Sequence, residues 1–405
     1  MIKKLSGAGL LALSFGVPVY ADHHNEDITL YRVFVGDHQA GQVTAFNLNQ
    51  PDKKWTFKTA GQVKLYPVAK GSAIAAIQSD DNQVNFIRSG ISFHDHGEHS
   101  DIEITAPEAV SLSLKGERPF HLIEHDGSIS INMNKGSYAT IVDSHELSEG
   151  NVEYRIIMQN KAHHGVVVPW AKGWITSVAG DVVEEGKAPP RIGVQSLSKE
   201  GNPTSKLTQC TNLHGEAFSG KYLAFGCKSG VLVAKKSKGA TTNYRMLTYP
   251  DNFPEGEMTG HLLGVKSYQA FLGSYGKNAV VVIDPTATPA FSLIELPFRR
   301  VDFILDPVRI QYGYVMTEDG RINQVNLINA EIEKSFQVTE PYSMDGHWNN
   351  PRPRLAVAGN ELLVTDPNSG LIHRVNTETM EEIGSIEVDG VPYNIAVAGG
   401  SGMTH

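Results

Sequence analysis

The chain has 405 residues, of which 40% are apolar, so it can bury a large hydrophobic core. Acidic residues outnumber basic residues by 44 to 35, the formal net charge is −9, and the basic residues form no long block. Because binding to nucleic acid depends on lysine and arginine side chains that neutralise phosphates, this composition argues against nucleic acid as a partner.

The first 21 residues have the pattern of a secretory signal peptide. Lys3 and Lys4 precede a short run of apolar and small residues, which ends with Val19 and Ala21 at the positions that a signal peptidase reads. The run is too short to cross a membrane, and no later stretch reaches the roughly 20 apolar residues that a span requires. We therefore predict a signal peptide over residues 1–21, export to the periplasm, and a mature protein without a membrane span. An uncleaved N-terminal anchor is the alternative.

Cleavage after Ala21 places two histidines beside a new free amine. The mature chain then begins "DHHNED", which carries His23 and His24. We predict that residues 22–29 form a mobile segment that binds metal. A histidine third from a free amine suits square-planar Cu(II) or Ni(II), and a loose role in handling zinc is equally open. The alternative is a terminal segment without a metal role.

From Leu30 onwards the chain repeats a phrase of two short apolar strands joined by a polar or glycine-containing turn. Examples are "LYRVFVGDHQAGQVTAFNL" from Leu30, "GSISINMNKGSYATIV" from Gly127 and "YGYVMTEDGRINQVNL" from Tyr312. We find eight copies at a spacing of roughly 40–55 residues, the range for blades of four strands. We predict an all-β protein with a single β-propeller domain over residues 30–400, with eight blades, or with seven as the alternative. A pair of stacked β-sandwiches is the competing architecture.

The two ends of the repeat predict how the ring closes. Leu30 begins what reads as the second strand of a blade, whereas "GVPYNIAVAGG" from Gly390 reads as an unpaired first strand. Pairing of these two strands would complete one blade from both termini and leave no exposed sheet edge.

Histidine recurs near the start of the first strand in successive copies. The first strand of a propeller blade lines the central channel, so side chains at this position converge on one rim. The candidates in copies three to eight are His121, His125, His163, His164, His214, His261, Asp302, Asp345 and His347. A single histidine at a strand start is usually structural, but several neutral imidazoles around one axis match the nitrogen coordination of zinc. We therefore predict a zinc site in the channel.

The two cysteines test this layout. Cys210 precedes the first strand of the fifth copy, and Cys227 ends its second strand, which returns to the same rim. In an oxidising compartment such a pair favours a disulfide, which would staple the blade that carries His214. A zinc ion held by the two thiolates is the alternative.

A second group of potential ligands lies in "FHDHGEHSD", between the third and fourth strands of the second copy. His94, His96 and His99 stand near Asp101, and Gly97 allows the chain to turn so that His99 folds back. Asp101 would bind a metal through oxygen or orient an imidazole. A solvated loop is the alternative, and the sequence leaves open whether the loop reaches the channel.

With these residues identified, the chain resembles the AztD family. The segments "FHDHGEHSDIEI", "RPFHLIEHDG", "HHGVVVP" and "CTNLHGEAFSGKYLAFGCKSGVLV" are similar to signature segments of that family, and the similarity extends over about residues 30–400. The resemblance implies a periplasmic zinc metallochaperone with a β-propeller fold. The matched positions are His96, His99 and Asp101 in the acidic-histidine loop, and His121, His125, His164 and His214 at the blade starts. Glu98 stands where the family pattern predicts an aspartate.

We therefore expect a monomeric zinc carrier and not an enzyme. The expected cargo is Zn²⁺, and the partner that the resemblance implies is the periplasmic solute-binding protein of a zinc ABC importer. Two other classes stay open. A metal-dependent propeller hydrolase or lactonase would turn over an ester or lactone, although no nucleophile motif is evident. A protein-interaction propeller with incidental histidines would bind no zinc in equilibrium dialysis.

Overall fold

A computed structural model describes residues 26–97, 99–150, 153–183, 185, 188–237, 241–264 and 267–404. In these residues, strands alternate with turns, and helix is confined to α1 (Ser144–Glu149) and one 3-10 turn (Ala69–Gly71). The predicted signal peptide, His23, His24 and Glu98 lie outside the described residues. None of the described helices has the length and apolar character that a membrane crossing needs.

The described strands form eight blades, each a four-stranded antiparallel sheet, and we number the blades after the sequence copies. Blade one contains β1 (Glu26–Asp37), β2 (Gln42–Asn47), β3 (Gln50–Lys58) and β34 (Pro392–Thr404). Blade two contains β4 (Lys64–Val68), β5 (Ala73–Gln78), β6 (Gln83–Arg88) and β9 (Glu108–Lys115), and its insertion holds β7 (Ile91–Asp95) and β8 (Ser100–Ile104). Blade three contains β10 (Pro119–His125), β11 (Ser128–Met133), β12 (Tyr138–Asp143) and β13 (Tyr154–Met158).

The other five blades follow the same order along the chain. Blade four contains β14 (Val167–Trp170), β15 (Gly173–Ala179), β16 (Arg191–Leu197) and β17 (Thr208–Gln209), and blade five contains β18 (His214–Ser219), β19 (Tyr222–Cys227), β20 (Gly230–Lys236) and β21 (Thr242–Thr248). Blade six contains β22 (Leu262–Gly264), β23 (Phe271–Tyr275), β24 (Ala279–Ile283) and β25 (Phe291–Glu295). Blade seven contains β26 (Arg300–Leu305), β27 (Tyr312–Thr317), β28 (Arg321–Asn326) and β29 (Glu331–Gln337). Blade eight contains β30 (Leu355–Ala358), β31 (Glu361–Asp366), β32 (Leu371–Asn376) and β33 (Glu381–Glu387).

Blade one is completed by both ends of the chain. β34 is its inner strand and pairs antiparallel with β1, with Val33 opposite Val397. β1 begins at Glu26, four residues before Leu30, because these residues pair with the end of β34. The predicted eight blades and the predicted closure by the terminal strands are therefore confirmed.

Apolar side chains between neighbouring blades hold the ring together. Phe34 of blade one packs in a buried cluster with Ile74 of blade two, and Val33 packs on the other side with Leu363 of blade eight. Each such buried side chain contributes about 1.5–3 kcal/mol relative to an exposed one. All six positions of β5, "AIAAIQ", are buried, because the two faces of this second strand pack against the two neighbouring blades. This is why the repeats read as continuous apolar runs in the sequence.

The strand directions define two faces of the ring. The first strand of each blade begins at the face that we call upper and runs along the channel to the lower face. Lys64, Pro119 and His214, the first residues of β4, β10 and β18, therefore lie at the upper face. The predicted disulfide lies at this face as well: Cys210 is bonded to Cys227 across 17 residues, with 5.1 Å between the Cα atoms. It closes the loop that contains His214.

The hairpin of β7 and β8 projects from the lower face. As predicted, it is inserted between the third and fourth strands of blade two. β8 pairs in parallel with the end of β34, with Met403 opposite Asp101. Ile91 and Ile102 of the hairpin form a small buried cluster with Leu30 of β1. The hairpin therefore sits beside the start of β1, where the chain enters the fold.

Candidate metal centre

Three imidazoles from three adjacent blades meet at the upper end of the channel. His121 lies in β10, His164 lies three residues before β14, and His214 begins β18. The Nε2 atoms of His121 and His164 are 2.9 Å apart. The ring centre of His214 lies 5.3 Å from that of His164 and 6.3 Å from that of His121. Three of the predicted blade-start histidines therefore share one focus, which we call the channel cluster.

Neighbouring groups orient two of these rings. His214 donates its Nδ1 proton to the carbonyl oxygen of Gly260 at 2.5 Å, which leaves the Nε2 lone pair available for a metal. The side-chain amide nitrogen of Asn134 donates to Nδ1 of His164 at 2.8 Å, which places the ring proton on Nε2, towards His121. Zinc binding at Nε2 would therefore require the Asn134 amide to turn, so that its oxygen accepts a proton from Nδ1. Metal-binding histidines usually have a hydrogen-bond partner at the second nitrogen, since it fixes the tautomer and the ring orientation.

Glu216 lies beside the channel cluster, although no pattern in the sequence indicated it. Glu216 follows His214 in β18, and a bulge at Gly215 separates the two residues, so simple strand alternation does not place them together. Its Oε1 lies 3.5 Å from Nδ1 of His121. Burial alone would raise the pKa of Glu216, but His121, His214 and His261 together hold that pKa below its usual value. A charged carboxylate therefore supports the His121 ring.

Two rings of the channel cluster, those of His164 and His214, are neutral imidazoles at neutral pH. Burial, followed by the neighbouring rings of His121 and His214, lowers the pKa of His164 to about 2. Burial also lowers the pKa of His214, although the hydrogen bond to Gly260 acts in the opposite direction. Neutral imidazoles have free lone pairs, so protons do not compete with a metal ion at these two rings near pH 7.

The spacing of the rings is close to what a zinc ion requires. Within the described residues, no three histidine, cysteine or carboxylate side chains already stand in a metal-holding arrangement. In the channel cluster, His121 and His164 are instead hydrogen-bonded to each other through Nε2 at 2.9 Å. Two nitrogens at about 2.0–2.1 Å from one tetrahedral zinc ion would stand about 3.3 Å apart. A separation of the rings by about half an ångström would therefore let zinc replace the shared proton.

Two other blade-start histidines have structural contacts. His125, at the lower end of β10, stacks on Phe218 with ring centres 3.5 Å apart, so it lies at the opposite end of the channel from the cluster. His163 is buried, with Nδ1 2.7 Å from the carbonyl oxygen of Lys161 and Nε2 2.8 Å from Oγ of Ser177. Both nitrogens of His163 are thus engaged inside the fold.

His261 lines the upper mouth one blade beyond the cluster. It directly precedes β22, its ring is open to the channel, and its ring centre lies 5.0 Å from that of Phe303. Desolvation by the surrounding channel wall, followed by the charges of Lys64 and Arg300, lowers its pKa to about 3, while Glu216 acts in the opposite direction. His261 is therefore a neutral imidazole beside the cluster.

Copies seven and eight place no imidazole in the cluster. His347 lies on an exposed loop, eight residues before β30, and its Nδ1 accepts a backbone N–H two residues further on. The loop still reaches the upper mouth, because the ring of the neighbouring Trp348 lies 6.1 Å from that of Phe120, which contacts His164. Asp302 accepts the Leu355 N–H at 3.0 Å, and Asp345 accepts a hydrogen bond from Arg299 at 2.7 Å.

A second group of ligand atoms occupies the hairpin. Asp101 reaches both neighbouring rings: Oδ2 lies 2.8 Å from Nε2 of His96, and Oδ1 lies 3.2 Å from Nε2 of His99. His94, which was predicted with them, instead lies 3.8 Å from Glu103. One carboxylate therefore joins two imidazoles at the protein surface, and we call His96, His99 and Asp101 the hairpin cluster.

The two clusters lie on opposite faces of the ring. The channel cluster is at the upper face, where first strands begin, whereas the hairpin extends from the lower face. β1 also begins at the lower face, at Glu26. The hairpin therefore makes its own group of ligands and does not complete the channel cluster.

The chain is similar to known proteins over its whole length. No family model matches it. It is 38% identical to the zinc chaperone AztD of Citrobacter koseri, over 100% of this chain and 95% of that protein. The crystal structure of Citrobacter koseri AztD superposes with a TM-score of 0.88, covering 93% of this chain and 100% of that chain, at 38% identity. The apo form of that protein superposes with a TM-score of 0.86 at 36% identity, covering 93% of this chain and 99% of that chain. This chain therefore belongs to the AztD family of zinc chaperones.

Proposed function

We propose that the protein carries a zinc ion in the periplasm and delivers it to the solute-binding protein of a zinc ABC importer. The observation that carries this proposal is the meeting of three imidazoles from three blades at the upper channel mouth. The ligands would be Nε2 of His121, His164 and His214, with Glu216 and Asn134 orienting the first two rings. The relative named above is a zinc chaperone.

Three imidazoles leave the fourth position of a tetrahedral zinc ion open. Such an open position is typical of zinc sites that exchange a ligand, whereas sites with four protein ligands are closed and structural. An acceptor that offers a ligand at the upper mouth could take the ion in steps without releasing it to solvent. This arrangement supports transfer to a partner better than permanent storage.

We propose a second, weaker zinc site at the hairpin cluster and a collecting role for the N-terminal segment. The cluster supplies two imidazoles and one carboxylate, and the ring of His96 is 54% exposed. β1 starts on the same face as the hairpin, and a mature chain cut after Ala21 would carry His23 and His24 just before β1 in the sequence. This proposal includes a signal peptide over residues 1–21 and a monomeric carrier. Both sites would then collect zinc on separate faces.

Direct transfer to the partner tests the proposed function. The zinc-loaded mature protein is mixed with the metal-free solute-binding protein, and the two are separated for metal analysis. Zinc is expected to move to the solute-binding protein at a rate that rises with its concentration, because ligand exchange occurs within a complex. A protein that binds no zinc at micromolar concentration would contradict the proposal, as would transfer that occurs equally fast across a dialysis membrane.

Replacement of Asp101 by alanine is expected to remove the weaker of two zinc-binding events. The carboxylate joins His96 and His99, and two imidazoles without it bind zinc poorly. Titration with a fluorescent zinc chelator should give two ions for the wild type and one for Asp101→Ala. The tighter affinity should change by less than about threefold, because the clusters lie on opposite faces. Glu103→Gln, near His94, is the matched control and should keep both ions. Loss of the tighter site in Asp101→Ala would contradict two separate sites.

A further inference from the structure

The half of the channel mouth opposite the channel cluster carries cations. Where blades three to six present histidine, Lys64 begins the first strand of blade two, Arg300 begins that of blade seven, and Arg354 directly precedes that of blade eight. Nζ of Lys64 lies 5.8 Å from the ring centre of Phe120, and that ring lies 4.7 Å from the ring of His164. One aromatic ring therefore contacts both the lysine and the channel cluster.

Aromatic faces hold the ammonium group of Lys64. Its Nζ lies 5.1 Å from the ring centre of Tyr66 and 5.8 Å from that of Phe120. Burial would lower the pKa of Lys64, but Tyr66 and Asp302 bring that pKa above its usual value, so the group stays charged. A ring face satisfies an ammonium group only weakly, and an ammonium has three N–H donors. Tyr66 also accepts a hydrogen bond from this ammonium group, and the other N–H donors of Lys64 can serve an oxygen ligand.

The two arginines are fixed by neutral acceptors. Nη2 of Arg354 donates to Oη of Tyr393 at 2.8 Å, and Nη1 of Arg300 donates to the carbonyl oxygen of Ala279 at 3.0 Å. Neither hydrogen bond neutralises the guanidinium charge. Asp302 is the carboxylate that interacts with Lys64, Arg300 and Arg354, and burial raises its pKa against the influence of Arg354. One carboxylate does not neutralise the three positive charges of Lys64, Arg300 and Arg354.

The charged side chains that interact across the channel mouth include more cations than carboxylates. Four cations face two carboxylates, namely Lys64, Arg191, Arg300 and Arg354 against Asp302 and Glu216. The cations exceed the carboxylates by two positive charges, and a bound zinc ion adds two more. Charge in an enclosed site is costly unless it is paired. Binding of zinc at this mouth therefore favours the entry of an anion.

We propose that Lys64, supported by Arg300 and Arg354, binds a carboxylate that fills the fourth coordination position of the zinc ion. This inference rests on the proposed zinc site. A carboxylate suits both partners, because one oxygen binds zinc at about 2.0–2.2 Å while the other accepts a charge-assisted hydrogen bond from the ammonium. The carboxylate belongs to a small free acid or to a side chain of the acceptor protein that enters the mouth during transfer.

The test measures zinc affinity in two salts with acetate as the probe. A fluorescent chelator, calibrated in each salt, competes with the mature protein for zinc at constant ionic strength, in sodium acetate or in sodium perchlorate. The wild type is expected to bind zinc about tenfold more tightly in acetate, as one charge-assisted contact provides. Lys64→Met should bring the ratio of the two affinities close to one. In perchlorate it should bind zinc more tightly than the wild type, because a nearby positive charge is gone.

Two further variants separate this effect from a general change in the fold. Lys64→Arg keeps the charge and should keep most of the acetate effect. Lys58→Met replaces an exposed lysine in the outer strand β3 and should behave as the wild type does. All variants are compared by circular dichroism and thermal unfolding, so that a misfolded protein is recognised.

The outcomes distinguish the inference from the proposed function. A wild type that binds no zinc in either salt refutes the zinc site itself. A wild type that binds zinc equally in both salts refutes the carboxylate position, as expected if His261 is the fourth ligand. An unchanged acetate effect in Lys64→Met also refutes it. If Lys64→Met additionally slows transfer to the solute-binding protein, the natural carboxylate is the acceptor's, and an unchanged transfer rate assigns it to a free acid.

Discussion

Replacing His164 by alanine is expected to weaken zinc binding more than about 100-fold. His164 stands between the other two rings of the channel cluster, with ring centres 4.5 Å from His121 and 5.3 Å from His214. Loss of a group that only orients a ligand typically costs 10–100-fold in affinity, so loss of a central ligand should cost more. Competition with a chelator of known affinity measures the effect, and metal transfer to the acceptor should fall in parallel.

His163 provides the matched control, because it is the adjacent histidine in the same segment. Its two nitrogens contact Lys161 and Ser177, so it supports the fold and has no free donor for metal. His163→Gln is expected to lower the free energy of unfolding by about 1–3 kcal/mol, as a disturbed buried polar group does, while zinc affinity changes less than about threefold. If the two variants lost zinc equally, the adjacent pair would act as a unit, and the assignment of His164 would be wrong.

The fold could be predicted from the sequence because its signals are periodic. Each copy repeats the same apolar strands and turns, and the unmatched strands near Leu30 and Gly390 predict the closure of blade one. The position of the cysteines follows from the same layout, since antiparallel neighbours meet at one rim. These features depend on strand order and length, which the sequence carries directly.

The composition of the channel cluster could be predicted only in part. Strand periodicity places His121 and His125 on one strand, but it does not say which end of the channel each side chain reaches. Adjacent histidines such as His163 and His164 have the same local pattern, and their opposite roles depend on contacts with distant strands. Lys64 was missed because it interrupts the histidine pattern, although it occupies the same position in its blade. The local sequence predicts where a side chain lies along its strand better than it predicts which distant side chains that group contacts.

Acid is expected to destabilise the metal-free protein markedly between pH 7.5 and pH 5. Burial lowers the pKa values of His163, His164 and His214 in the folded state, whereas the unfolded chain protonates these histidines near pH 6.5. Below pH 6.5 the unfolded state therefore binds more protons at these three histidines. Their contribution to the free energy of unfolding is largest above this pH and decreases as the pH falls. At pH 5, His164 alone accounts for about 2 kcal/mol of lost stability, and the other two act in the same direction.

Urea unfolding of the chelator-treated protein at several pH values measures this loss. His163→Gln removes one of the contributing groups and should flatten the pH dependence, whereas His145→Gln should leave it unchanged, because the side chain of His145 is 79% exposed on α1. The zinc-loaded protein should lose stability more steeply, since protons that displace the ion also remove the binding free energy that favours the folded state. A stability that stays constant down to pH 5 would mean that the buried rings accept protons in the folded protein. In that case the channel would not hold its imidazoles in the neutral form that binds zinc.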